Sequence, residues 1–181
     1  ADMVILIIGS RFGGKAIPKA IENLDIETIK AASKSTSFID KGNISITQLE
    51  ILKAVELEIP IFTFIDQKVS HDHLFYEKNK TKSGFLETVD FPSIDKRETA
   101  IFIFEFINFI RHRSKNNSIV DFSKIEDIQE FLKRQWSALF QRLLFEQKTK
   151  KEEIRRFDFL TTQLSDIKTT LLTTITNSDL K

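Results

Sequence analysis

Ser45, Thr47 and Glu50 are the residues whose types and spacing suggest chemistry, set in the stretch Gly42 to Asp66, GNISITQLEILKAVELEIPIFTFID. A carboxylate near the start of a helix can attack, or stabilise, the electron-poor sugar carbon left as an N-glycosidic bond breaks, by the logic of a glycosidase nucleophile. The same acid has a purely local reading, because the helix dipole favours negative charge in the first turn. A second stretch of interest, GSRFGG from Gly9 to Gly14, places Ser10, Arg11, Phe12 and Gly13 directly after an apolar run. Open α/β sheets put their ligands at such carboxyl ends of strands. The loop matches neither the dinucleotide fingerprint nor the phosphate loop, so it also reads as an ordinary strand-to-helix turn.

Other reactive side chains carry less. His71 and His73 flank Asp72 in a His-x-His pair, but no third zinc ligand is identifiable, and a surface loop is the expected setting. No metal site is expected. His112, between Arg111 and Arg113, reads as a cation at a helix end. The flanks of Ser10 do not form a serine elbow. Lys148, Lys150, Lys151, Arg155 and Arg156 are interleaved with Glu146, Glu152 and Glu153, the pattern of a solvated helix face rather than of a nucleic-acid site.

The elements that would position these residues follow from apolar periodicity. Met3 to Gly9 reads as a parallel strand buried on both faces. Between Lys15 and Lys41 a helix is expected from Ile17, Ile21, Leu24 and Ala31 or Ala32, as an insertion over the site, with Ser33 to Phe38 an irregular connection. The central helix starts near Ser45 or Thr47, either of which can cap it. It buries Leu49, Leu52, Ala54 and Val55, and Pro60 stops it. Ile59 to Ile65 is the next buried strand, which makes the stretch half of a βαβ unit. From Asp66 to Arg97 the period is lost, apart from a short helix around Val69 to Tyr76. Glu98 to Arg113 is apolar nearly all round and too long for a strand, hence a buried helix. A polar turn at Lys115-Asn116-Asn117 leads to a strand, Ser118 to Phe122, and then to a long helix with Ile125, Ile128, Leu132, Trp136, Leu139, Phe140, Leu143 and Leu144 on its apolar face. Phe157, Leu160, Leu164, Ile167 and Leu171 continue as a coiled-coil-like seam.

Composition bounds the classes. At 181 residues with 41% hydrophobic side chains, the chain can build one globular core plus an extension. Its 27 basic and 26 acidic side chains nearly cancel, so no overall field attracts nucleic acid. Without cysteine there is neither a disulfide framework nor a thiolate metal site, compatible with a reducing cytoplasm. No apolar run approaches the ~20 residues of a membrane span, and no signal-peptide pattern opens the chain, so a soluble cytoplasmic protein is expected. The chain opens on Ala1-Asp2 and runs straight into a strand, so a strand and helix upstream are expected to be missing from this sequence.

LIIGSRFG followed by ISITQLEILKAVELEIPIFTFI resembles the bacterial domain of unknown function 4062, through Gly9, Arg11, Phe12, Gly13, Ser45, Thr47, Glu50, Ala54, Pro60 and Phe64. That family is similar to Toll/interleukin-1 receptor (TIR) domains and nucleoside 2-deoxyribosyltransferases. Thr47-x-x-Glu50 resembles the deoxyribosyltransferase segment Gly-Thr-x-x-Glu, with Ile46 where glycine is expected. The resemblance implies an α/β, flavodoxin-like and TIR-like three-layer domain with a mainly parallel sheet over residues 1–147, and a helical, coiled-coil-like extension over 148–181. It further implies a domain that binds a nucleotide or NAD and cleaves its N-glycosidic bond, with NAD as substrate rather than as a resident cofactor. Glu50 is then the catalytic residue, Ser10, Arg11, Phe12 and Gly13 contact the ligand, and Ser45 or Thr47 helps to place Glu50. Such domains serve as effectors in antiphage defence. The alternative expectation is a non-enzymatic interaction module that forms homo-oligomers through the C-terminal helix.

Overall fold

The computed structural model describes residues 3–40, 43–115 and 117–178; for residues 40, 87, 117 and 166–178 only the backbone is described. Gly42 and Asn116, expected in turns, and the side chains of Ile167 and Leu171, expected in the seam, lie outside the described residues. The described part of the chain falls into two compact units, Ala1–Ile128 and Gln129–Lys181.

In the first unit, strand β1 (Val4–Ile8) leads through the glycine loop to three short helices, α1 (Pro18–Ile21), α2 (Ile26–Ala31) and α3 (Ser37–Asp40). Helix α4 (Ile46–Glu56), strand β2 (Ile61–Asp66), helix α5 (Gln67–Asn79), helix α6 (Phe85–Thr88), helix α7 (Arg97–Arg111) and strand β3 (Asn117–Phe122) follow. Helix α8 (Ile125–Ser178) starts in this unit and forms the second. The sheet runs β1-β2-β3, all parallel, with Leu6 opposite Thr63 and Thr63 opposite Ile119. The architecture is α/β, a parallel sheet flanked by helices with a long C-terminal helix, consistent with the expected flavodoxin-like fold.

Helix α7 is the centre of the core. Nine of its residues are buried, from Ala100 through Ile110, as its all-round apolar sequence requires. Phe104 is fully buried and meets Phe91 edge-on at 4.8 Å and Tyr76 at 5.2 Å between ring centroids. Truncating such a ring to alanine costs about 3–5 kcal/mol. Leu6 and Ile8 of β1, Ile61 and Ile65 of β2, and Ile51 and Leu52 of α4 complete this cluster.

Several sequence expectations change. β1 is buried on one face only: Leu6 and Ile8 join the core, whereas Ile5 and Ile7 are 41% and 55% exposed on the other face of this edge strand. An unbroken apolar run implies two covered faces only when helices pack on both. Residues 15–40 form three short helices rather than one, because Asp25 caps α2 through the Thr28 amide and so breaks the longer pattern. Ser33 is likewise not in loose chain: it pairs with Arg113 in an isolated antiparallel bridge, and its hydroxyl donates to the Phe109 carbonyl at 2.8 Å. Ser37 to Phe38 belongs to α3, with Phe38 buried against Phe106 and Phe109.

α4 buries Gln48, Ile51, Leu52, Ala54 and Val55, with Leu49 only half-buried. Its end is set before Pro60. The Ile59 amide donates to the Ala54 carbonyl and the Glu58 amide to that of Val55, the two bonds of a Schellman turn. Glu58 occupies the left-handed position with φ 54°, where glycine is usual.

The largest departure is α5. His73 is not in a surface loop but buried in a thirteen-residue helix, 2% exposed. Its Nε2 donates to Asn108 Oδ1 at 2.8 Å, while Asn108 Nδ2 donates to Glu77 Oε1 at 2.7 Å. A carboxylate can only accept, which fixes the Asn108 amide and thereby the His73 tautomer. Beside it, Tyr76 donates to Glu105 Oε1 at 2.5 Å, and Ser37 bonds the other oxygen of that carboxylate. A helix carrying polar residues on its buried face shows a weak period, and the partners that Ser70, His73 Nε2 and Tyr76 find there are remote in sequence. No described helix is long and apolar enough to cross a membrane.

Candidate functional site

The loop after β1 and the start of α4 are stitched together by backbone bonds. Ile46 donates to the Gly14 carbonyl and Ala16 to the Ile44 carbonyl, both at 2.9 Å, around an isolated antiparallel pairing of Lys15 with Ser45. Gly13 makes this approach with φ 86°, and a Cβ there would lie 3.9 Å from that of Ser45. The positive φ, rather than crowding, is what asks for glycine. Phe12 anchors the loop by packing its ring 5.5 Å from Phe102 of α7.

Two adjoining cavities share Arg11, Phe12 and Gly13. The larger, about 450 Å³, lies between Ser10–Gly13 and the segment Asp95–Thr99 that opens α7. The smaller, about 120 Å³, runs from the same loop to Ser45, Thr47 and Gln48 over Ile103 and Phe106. The larger lies past the carboxyl end of β1, and the smaller is lined by Leu6, Ile7 and Ile8 at the strand's end as well as by the loop, at the edge where open α/β sheets bind ligands. The larger volume is within the range of small-molecule pockets.

Ser45 and Gln48 are occupied structurally. The Ser45 hydroxyl accepts from the Gln48 amide at 3.2 Å, and the Gln48 side chain accepts from the Ser45 amide at 2.9 Å, a reciprocal capping box. Gln48 Nε2 also donates to the Phe102 carbonyl at 3.3 Å, tying α4 to α7. Thr47 is exposed at the rim of the smaller cavity. Glu50 is exposed one turn further along α4, and the lining of neither cavity includes it.

The charge at the larger cavity comes from Arg11, Asp95 and Lys96. Arg11 Nε donates to Asp95 Oδ2 at 2.9 Å, and the Asp95 amide donates to the Ser10 carbonyl at 3.3 Å. Hydrogen bonds from Arg11, and then from Ser10, hold the Asp95 carboxyl below its usual range. Lys96 stands at the N-cap of α7 and supplies no side-chain acceptor to its first turn, in which Glu98 is the acid. Two cations against one lining carboxylate, beside a helix start, make an environment that suits an anion. Among the described residues, no group of three or more histidines and carboxylates is placed to hold a metal.

Ser10, Arg11, Phe12, Gly13, Ser45 and Thr47 are therefore brought together around one loop, with Glu50 on the adjacent exposed face. Sequence reading missed Asp95, Lys96 and Thr99, which join the site from more than eighty positions away, and Gln48. Only Gln48 had a local signal, the Ser-x-x-Gln capping pattern.

No curated protein and no solved structure matches the chain. The family model for DUF4062, a domain of unknown function, matches residues 1–137 of the 181, and the chain belongs to that family.

Proposed function

We propose that the chain is a nucleotide-binding α/β domain, related to TIR domains and nucleoside 2-deoxyribosyltransferases, whose ligand sits on the Ser10–Gly13 loop. The observation that carries this reading is the cavity of about 450 Å³ in which Ser10, Arg11 and Lys96 converge at the carboxyl edge of the sheet. A phosphate would exchange for Asp95 on the Arg11 guanidinium, an exposed ion pair that water and salt keep weak. The ligand's remaining part extends past Thr47 toward Glu50. Cleavage of an N-glycosidic bond, with NAD the first substrate to test and antiphage defence the implied setting, then depends on Glu50 as nucleophile or oxocarbenium stabiliser.

Calorimetric titration with NAD and with mononucleotides tests binding; heats indistinguishable from those of an Arg11→Gln variant would overturn it. Chromatography of NAD and nucleosides after incubation tests cleavage. Release of nicotinamide or free base by the wild type and its loss in Glu50→Gln is expected, and undiminished product in that variant removes Glu50 from the chemistry.

A second reading is favoured by α8. Trp136, Leu139, Leu143, Phe157, Leu160 and Leu164 keep one heptad register across Glu146, Lys150 and Glu153, and all six apolar residues are exposed. A helix of 54 residues with such a stripe gains most of its stability from a partner. A second copy fits antiparallel: Lys150 then faces Glu153 of the other chain, Leu143 faces Leu160, Leu139 faces Leu164, and Glu146 faces Phe157. The parallel arrangement instead stacks Glu146, Lys150 and Glu153 each on its own copy. Light scattering of the wild type and of a Leu143→Glu/Leu160→Glu variant should give a dimer and a monomer, and equal masses would remove this reading.

A further inference from the structure

In the seam of α8, Trp136, Leu143, Lys150, Phe157 and Leu164 fall at position a of a heptad, and Leu139, Glu146, Glu153 and Leu160 at position d. The two flanks of this seam differ. Position e, beside a, holds Phe140, Gln147, Ile154 and Thr161, none of them charged, where a two-stranded coil usually carries charge. Leu144 stands next to that column, at position b. Phe140, Leu144 and Ile154 are 64%, 66% and 61% exposed. Position g, beside d, is the ordinary flank: it carries Arg142, bonded to Glu146 at 2.8 Å, and Arg156.

The apolar arc is accordingly too wide for one partner helix. Leu139, Leu143, Trp136, Phe140 and Leu144 together cover about 140° of the helix surface, at 3.6 residues per turn. A stripe wider than about 100° belongs to a helix that faces a core, whereas the seam of a two-stranded coil is narrower. The antiparallel pairing of α8 decides where the surplus goes. Its two-fold axis runs perpendicular to the helices, so both copies place position e on the same flank. With Leu143 facing Leu160, that flank reads Phe140, Leu144, Ile154 of the other copy, Ile154, then Leu144 and Phe140 of the other copy. The steps are four or five residues, about 6–7.5 Å along the helix, so the six side chains form one continuous stripe.

We propose that this stripe is the docking surface for a second antiparallel pair, so that four copies of the chain close a four-helix bundle through the Phe140, Leu144 and Ile154 flanks. The inference rests on the antiparallel reading of α8 and is independent of the nucleotide reading. Two such flanks brought together bury on the order of 1,200 Å² of surface, the lower end of the range for a specific interface. Lys151 and Asp158, which share the Leu144 column, leave the outer margin of the flank polar. Lys150 enters the bundle with its counter-charge, Glu153 of the other copy. Because each pair has one uncharged flank and one that carries arginines, the assembly closes at two pairs. The seam forms first and the flanks join as concentration rises, by mass action.

Sedimentation equilibrium of the whole chain, over about a hundredfold range of concentration, tests the proposal. The mass is expected to rise from two chains at the dilute end to four at the concentrated end. Phe140→Lys/Ile154→Lys is expected to hold at two chains throughout; both positions are exposed and lysine is a strong helix former, so the helix itself is kept. Phe145→Lys/Phe159→Lys changes two equally exposed phenylalanines at position c, away from the flank, and is expected still to reach four. A wild type that stays at two chains, a Phe140→Lys/Ile154→Lys variant that reaches four, or a Phe145→Lys/Phe159→Lys variant that does not, would overturn the proposal. A wild type of one chain at every concentration removes the seam reading together with it.

Discussion

Arg11 and Asp95, eighty-four positions apart, both line the loop cavity and are joined by a 2.9 Å bond from Nε to Oδ2. Asp95 is thus the built-in competitor for any anion that seeks Arg11. Asp95→Asn is expected to strengthen nucleotide binding, and Arg11→Gln to weaken it about tenfold, by removing a charge-assisted contact. Calorimetry at two salt concentrations checks both, the wild-type affinity falling as salt rises.

Two left-handed residues predict opposite stability changes. Gly13→Ala forces a Cβ onto φ 86° and should cost about 1–2 kcal/mol while loosening the loop. Glu58→Gly relieves φ 54° at the Schellman position and should stabilise by about 0.5–1 kcal/mol, the gain being reduced by the freer unfolded chain. Urea unfolding midpoints at a common slope measure both.

His73 gives the fold a pH dependence with a definite sign. Burial is the main cause that lowers its pKa below the usual 6.5, against the raising effect of its bond to Asn108. The unfolded chain therefore takes up the proton first, so the stability from neutral His73 is complete above that value and is lost as pH falls through it toward the folded value. The urea midpoint should drop between about pH 7.5 and about pH 5.5, and drop less in His73→Gln, which keeps a donor toward Asn108 but does not titrate.

The orientation of α8 pairing is open to a direct chemical test because the chain has no cysteine. Oxidation of mixed Leu143→Cys and Leu160→Cys chains is expected to trap the 143–160 heterodimer. Recovery of only 143–143 and 160–160 products would indicate parallel helices. Reversing Lys150→Glu with Glu153→Lys in the same chain should restore a dimer that either change alone weakens, read by analytical ultracentrifugation.

The sequence determined whatever depends on neighbours along the chain. Met3 to Gly9 and Ile59 to Ile65 announced two parallel strands by branched apolar runs, and Ser45 announced the helix start by its capping chemistry. The α7 helix was legible because sixteen apolar-rich residues exceed the length of a strand. Tertiary structure decided which groups meet. Local pattern could not show that His73 turns inward onto Asn108, since the partner of its Nε2 lies thirty-five positions away. Nor could it show that Asp95 faces Arg11 or that Ile5 and Ile7 lie on an open face. Spacing along a chain fixes the period of an element, whereas burial and pairing depend on contacts between positions that only the folded backbone brings within reach.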